Sequence, residues 1–304
     1  MSRIHEALQR AYLERGKVPA SGELQVVEPP APSSIDEPPV ARAEVSLENV
    51  AEHSWSPSTL SLPTLADRGA SVEQFRGLRS HVYQARYESP LKTILVASGM
   101  PSEGKSFVSA NLAISLARNS IHNILLIDAD LRRPTLHDLL GAPNTPGLSN
   151  YLDGSAEIVD VMQRDRASKS AGNGVSDKIA NLTFIPSGGR RDNSSELVAS
   201  PRMAELIETV SPNFDWIVID APPVLAVTDA VELARAADAV LLVARGSSTP
   251  YEVAQRAKAA FSTARILGFV LNNVKDAPGK GSYTYNYYYH AEPEDSGQDR
   301  PIKS

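Results

Sequence analysis

Ala97-Ser98-Gly99-Met100-Pro101-Ser102-Glu103-Gly104-Lys105-Ser106 is the stretch that decides the fold. From Gly99 to Ser106 it follows the phosphate-loop spacing G-x-x-x-x-G-K-[ST]. The apolar run Thr93-Ile94-Leu95-Val96 precedes it and a helical pattern from Phe107 to Ala117 follows. A strand therefore delivers the loop and a helix N-terminus receives the ligand, where backbone N–H groups and the helix dipole favour an anion. Gly99 through Phe107 is the expected nucleotide contact, with Lys105 reaching the β- and γ-phosphates and the Ser106 hydroxyl on Mg²⁺.

Around the loop, strands and helices alternate. Strands are expected at 93–97, 123–127, 182–186, 215–219, 239–244 and 266–272. Helices are expected at 71–87, 105–119, 134–140, 193–209, 228–236 and 250–263. Runs such as Ile124-Leu125-Leu126-Ile127 and Trp216-Ile217-Val218-Ile219 are apolar on both faces, which implies a buried, mostly parallel sheet flanked by helices. The class is α/β with the P-loop NTPase fold, and ligands bind at the carboxyl ends of its strands. Two of those ends carry acids: Asp128-Ala129-Asp130-Leu131-Arg132 follows one strand, and Asp220-Ala221-Pro222-Pro223 follows another. Mg²⁺ takes oxygen ligands, and transfer to a hydroxyl needs a proton acceptor. Asp220 is expected on the metal. Asp128 and Asp130 share metal binding and general-base duty, unassigned between them. Arg132 either neutralises the transferring phosphoryl group or forms a surface ion pair. Asn272, at the end of the last strand, either bonds the adenine edge or forms a turn.

The termini differ in character. Residues 1–16 read as a short amphipathic helix with Ile4, Leu8, Ala11 and Tyr12 on one side. Residues 17–66 are rich in Pro, Ser, Ala and Glu and read as a disordered tether. The folded region is expected over 67–275, with a polar insertion at 165–180. The tail, 276–304, is expected to be flexible, and it carries Tyr283, Tyr285, Tyr287, Tyr288 and Tyr289, then Glu292, Glu294, Asp295 and Asp299. With no cysteine in 304 residues, disulfides and thiolate metal sites are excluded, as suits a cytoplasmic protein. The net charge of -6 gives no reason to expect nucleic acid as a partner. No apolar run is long enough for a membrane helix, so membrane contact is expected through a partner.

The phosphate loop, the D-x-D-x-R after the second long strand and the D-x-P-P after a later one together resemble the bacterial tyrosine autokinases of capsule and exopolysaccharide synthesis. Glu73-Gln74-Phe75-Arg76-Gly77-Leu78-Arg79 is similar to that family's E-x-x-R-x-x-R oligomerisation motif, and the tail is similar to its tyrosine cluster. The opening Met1-Ser2-Arg3-Ile4-His5-Glu6-Ala7-Leu8 is similar to kinases of exosortase-type systems. The resemblance implies ATP and Mg²⁺ as cofactors and phosphorylation of the tail tyrosines in trans. It also implies a ring-like homo-oligomer built on Glu73, Arg76 and Arg79. The implied partners are the cytoplasmic tail of a transmembrane polysaccharide co-polymerase (chain-length determinant), which recruits the kinase to the inner membrane face, and a cognate tyrosine phosphatase. One departure is Asn193-Ser194-Ser195-Glu196-Leu197, where relatives commonly carry N-P-x-E-L, and it puts the local loop geometry in question. Two other readings use the same loop. A partitioning or septum-placing ATPase would carry a lysine where Met100 stands, and a non-catalytic nucleotide-binding adaptor would bind without turnover.

Overall fold

The computed structural model describes residues 46–118, 121–166 and 179–274, all within one compact unit. The expected N-terminal helix, most of the tether, most of the polar insertion and the tyrosine cluster lie outside the described residues. Strands are β1 (Ala51–His53), β2 (Thr93–Ser98), β3 (Ile124–Asp128), β4 (Gln163–Asp165), β5 (Leu182–Ile185), β6 (Trp216–Asp220), β7 (Ala239–Arg245) and β8 (Ile266–Asn272). Helices are α1 (Ala70–Glu88), α2 (Lys105–Ala117), α3 (Leu136–Leu140), α4 (Leu148–Leu152), α5 (Ser194–Val198), α6 (Pro201–Val210), α7 (Asp229–Leu233) and α8 (Tyr251–Ala260).

The sheet order is β1-β4-β5-β3-β6-β2-β7-β8. Its pairs are parallel except β4 against β5, so the far edge runs against the rest. Alternation along the central strands divides the core into two layers. Leu95, Leu125, Ile127, Ile217, Ile219 and Leu242 point to one side, beneath α4 to α8. Ile94, Val96, Leu126, Trp216, Val218 and Val243 point to the other, beneath α1, α2 and α3. Every residue of β2, β3 and β6 is buried, which is why these strands read as unbroken apolar runs. β2 lies between β6 and β7, so the loop leaving it opens at the middle of the sheet.

Three local expectations change. The tether drawn through residue 66 is too long at its C-terminal end. β1 pairs in register with β4, and Trp55, Leu62 and Leu65 are buried. The Trp55 indole donates to Gln163 at 3.1 Å and its backbone N–H to Asp165 at 3.1 Å. The helix expected at 193–209 is two helices, because Pro201 starts α6 and holds Ser200 extended (ψ 151°). The polar insertion begins later than residue 165, since Asp165 closes β4.

Candidate active site

β2 ends in the phosphate loop, and α2 begins within it at Lys105. Gly104 has φ +95°, a left-handed conformation that costs a side chain dearly. A Cβ there would also stand 1.9 Å from Asn272 Nδ2. Asn272 uses that amide to donate to the Glu103 carbonyl at 3.0 Å, so the end of β8 braces the loop from outside. Inside the loop, the buried Glu103 carboxylate accepts the Met100 N–H at 2.7 Å and the Thr249 hydroxyl. Met100 itself is half exposed.

β3 and β6 are adjacent and parallel, and their last residues, Asp128 and Asp220, are register partners. Both are fully buried. The Ser106 hydroxyl donates to Asp220 Oδ2 at 2.5 Å, and Ser109 Oγ lies 3.0 Å from Oδ1. Lys105 Nζ lies 2.8 Å from Asp130 Oδ2 and 3.6 Å from Asp220 Oδ2. Asp128 accepts backbone N–H groups from Asp130, Thr135 and Leu136 at 3.1–3.2 Å.

The electrostatics follow from that crowding. Burial, and then the Asp220 charge facing it, push Asp128 up to about 8, against the pull of the Leu136 N–H and the Lys105 ammonium. Burial also raises Asp220, with Lys105 and the Ser106 hydroxyl pulling it back. For Lys105, burial opposes the charge, but Asp220 and Asp130 outweigh it and hold the ammonium above its ordinary value. One ammonium among three carboxylates leaves a surplus of oxygen donors. Among the described residues no group of three or more His, Cys, Asp or Glu forms a cage. One or two carboxylates with the Ser106 hydroxyl is the donor set of a Mg²⁺ site completed by phosphate oxygens and water, so the residues fit a Mg-nucleotide.

A cavity of about 850 Å³ opens above Lys105 and Ser106, reaching Asp130, Thr135 and Pro223. A second, of about 800 Å³, lies where Gln74, Phe75 and Phe107 meet Arg245 and Asn272 at the end of β8. The expected loop, Ser106, Asp128, Asp130 and Asp220 are thus brought together. Arg132 lines the same cavity, with its guanidinium tied to Asp229 at 3.1 Å and to Ser195 Oγ at 2.8 Å.

Residues 91–252 match the model of the AAA domain family. Tyrosine-protein kinase YwqD of Bacillus subtilis is 34% identical over 210 residues, which cover 68% of this chain and 83% of YwqD. Tyrosine-protein kinase etk of Escherichia coli K12 is 34% identical over 292 residues, which cover 93% of this chain and 38% of etk. The solved kinase domain of Escherichia coli tyrosine kinase ETK superposes with a TM-score of 0.63 at 32% identity, covering 79% of this chain and 89% of that one. The chain belongs to the bacterial tyrosine kinases. It spans 38% of etk and 29% of tyrosine-protein kinase wzc of Salmonella typhimurium, to which it is 35% identical over 221 residues.

As a tyrosine kinase the chain has groups that the motifs did not reveal. Ser109, one turn after Lys105 on α2, completes the hydrogen bonding of Asp220. Its spacing on the helix face was the available signal. Asp229 is buried and accepts from Ser194 at 2.8 Å and Ser195 at 2.5 Å as well as from Arg132. Burial works against its charge, yet those hydrogen bonds hold it below the usual carboxylate range. At the position where the family resemblance led to an expected proline, the Ser194 hydroxyl bonds to Asp229 and ties the loop to the start of α7. On α1, Arg76 pairs with Glu73, and Arg79 donates to the Ser115 carbonyl at 2.6 Å. No helix among the described residues is long and apolar enough to cross a membrane.

Proposed function

We propose that this kinase transfers the γ-phosphoryl group of ATP to the tyrosines at 283–289 of a second copy of itself, in a ring-like homo-oligomer. By this activity it regulates capsule or exopolysaccharide polymerisation and export. The observation that carries the reading is the convergence of Lys105, Ser106, Asp130 and Asp220 beneath one open cavity, within 3.6 Å of one another along the chain of contacts.

The loop from Gly99 to Ser106 would hold the phosphates, and the cavity between Phe107 and Asn272 would take the base. Ser106, Asp220 and Asp128 would hold Mg²⁺, which would neutralise charge on the phosphoryl oxygens. Lys105 leaves Asp130 for the phosphates, freeing that carboxylate. Asp130 lines the cavity, whereas Asp128 lies beneath it and its oxygens already accept three backbone N–H groups. Asp130 is therefore the base that takes the phenol proton, which a tyrosine of pKa ~10 does not release unaided at neutral pH. The kinase acts at the inner face of the cytoplasmic membrane, recruited there by the cytoplasmic tail of a polysaccharide co-polymerase. A tyrosine phosphatase resets it.

Phosphosite mapping on purified protein given ATP and Mg²⁺ tests the reading. Phosphate is expected on Tyr283, Tyr285, Tyr287, Tyr288 and Tyr289. ATP hydrolysis with no phosphotyrosine would instead mark a switching ATPase, and nucleotide binding without either would mark an adaptor.

A further inference from the structure

One wall of the cavity above the phosphate loop is lined by Arg132, Arg133, Arg190 and Arg191. They come from two loops, one following β3 and one following β5. These strands are parallel neighbours, so the loops emerge side by side, and the Arg191 N–H joins them by donating to the Leu131 carbonyl at 2.9 Å. Two of the four charges are already answered. Arg132 is held by Asp229, and Arg191 lies 3.3 Å from Asp153. Arg133 and Arg190 are exposed, and among the described residues neither guanidinium has an acid partner or a hydrogen bond. The acids that share the cavity are Asp130, engaged by Lys105, together with Asp138 and Asp192.

A planar guanidinium matches carboxylates and phosphates two oxygens at a time. The chain carries such anions close behind its tyrosines, at Glu292, Glu294 and Asp295. An extended chain advances ~3.3–3.6 Å per residue. These carboxylates therefore trail Tyr289 by roughly 10–20 Å, the reach of a segment whose phenol sits by Lys105 and whose continuation leaves across the cavity wall.

We propose that Arg133 and Arg190 form a docking subsite for the acidic segment that follows the tyrosine cluster of a second copy. The kinase then favours the last tyrosines of the cluster, above all Tyr289, whose carboxylates stand three to six residues downstream. This rests on the autokinase reading and names how that site recognises its substrate. Nucleotide phosphates are the other anion within reach, and the experiment separates the two.

A fluorescent peptide of residues 283–299 is titrated into the full-length chain, either with native arginines or carrying Arg133→Gln and Arg190→Gln. Phosphorylation of full-length Lys105→Met acceptor is followed in parallel. The double variant should bind the peptide about tenfold more weakly, as expected for two partly exposed charge pairs. Its KM for the acceptor should rise by a similar factor, with KM for ATP within about twofold. The charge-reversed enzyme, Arg133→Glu with Arg190→Glu, should prefer an acceptor carrying Glu292→Lys, Glu294→Lys and Asp295→Lys over the acidic one, which a merely structural role would not produce. Unchanged peptide affinity, a rise in KM for ATP alone, or no preference on charge reversal would overturn the subsite. If native enzyme put no phosphate on the acceptor, the autokinase reading would fall, and peptide affinity would still decide the subsite.

Discussion

Lys105 Nζ lies 2.8 Å from Asp130 Oδ2, so the ammonium that the phosphates need is held by a carboxylate at the cavity floor. The pair is almost wholly buried. In that setting, removing one partner strands the other, and the loss exceeds the worth of an exposed pair. In the proposed reaction a nucleotide would exchange one anion for another around Lys105 and free Asp130 to act on the phenol.

Asp130→Asn therefore separates binding from chemistry. Phosphotyrosine formation should fall at least ~100-fold, the range for loss of a general base. Binding of a fluorescent ATP analogue should stay within about threefold. Equal losses in both would make Asp130 a structural partner of Lys105 only.

Asp128 sets a pH dependence that needs no nucleotide. Its folded-state value of about 8 lies above that of an unfolded aspartate. The folded chain then holds a proton that the unfolded chain has released between roughly pH 4 and pH 8. This contribution to stability is full below the unfolded value and is lost as pH rises through about 8. In metal-free buffer the melting temperature should fall between pH 6 and pH 8.5, and Asp128→Asn should flatten that slope whatever its own baseline. An equal slope in the variant would assign the dependence to other groups.

Trp55 tests whether the segment before α1 belongs to the fold. Its ring packs edge-on against Phe184, with centroids 6.1 Å apart, and both are buried. Trp55→Ala should destabilise the chain by about 3–5 kcal/mol, as for a buried aromatic, seen in urea unfolding with an unchanged slope. A change under about 0.5 kcal/mol, the range of surface substitutions, would return this stretch to the tether.

What could be read from sequence divides along physical lines. The central strands were legible because burial on both faces makes them apolar without interruption, as in Ile124 to Ile127. The phosphate loop and the acids after β3 and β6 were legible because their chemistry demands fixed spacings. β4 was not: Gln163-Arg164-Asp165 is polar, three residues long and ordered by tertiary partners such as Trp55. Trp55, Leu62 and Leu65 were lost among prolines and serines, since isolated apolar residues show no period. The break in the helix before α6 was available in Pro201, but the surrounding helical pattern outweighed it. Asp229 gave no signal, because the Ser194, Ser195 and Arg132 groups that give it meaning are 34 to 97 residues away.

The α1 face is where the proposed assembly is open to test. Arg79 is bonded within its own chain to the Ser115 carbonyl, whereas Arg76 and Glu73 remain partly exposed. Arg76→Glu is thus the cleaner probe of a head-to-tail contact. By light scattering it should be monomeric where Lys105→Met assembles, with melting within a few degrees of native. ATP-treated native protein should also fall apart, since each phosphotyrosine adds about -1.5 to -2 charges. A variant that stays as large as Lys105→Met would remove this face from the assembly.

Phosphotyrosine formation by native and Lys105→Met protein, each incubated alone with ATP and Mg²⁺ and then mixed, tests the central claim most directly. The account expects phosphotyrosine on native protein, none on Lys105→Met alone, and phosphotyrosine on Lys105→Met once native kinase is added. Native levels on Lys105→Met alone, or none on native protein, would contradict it.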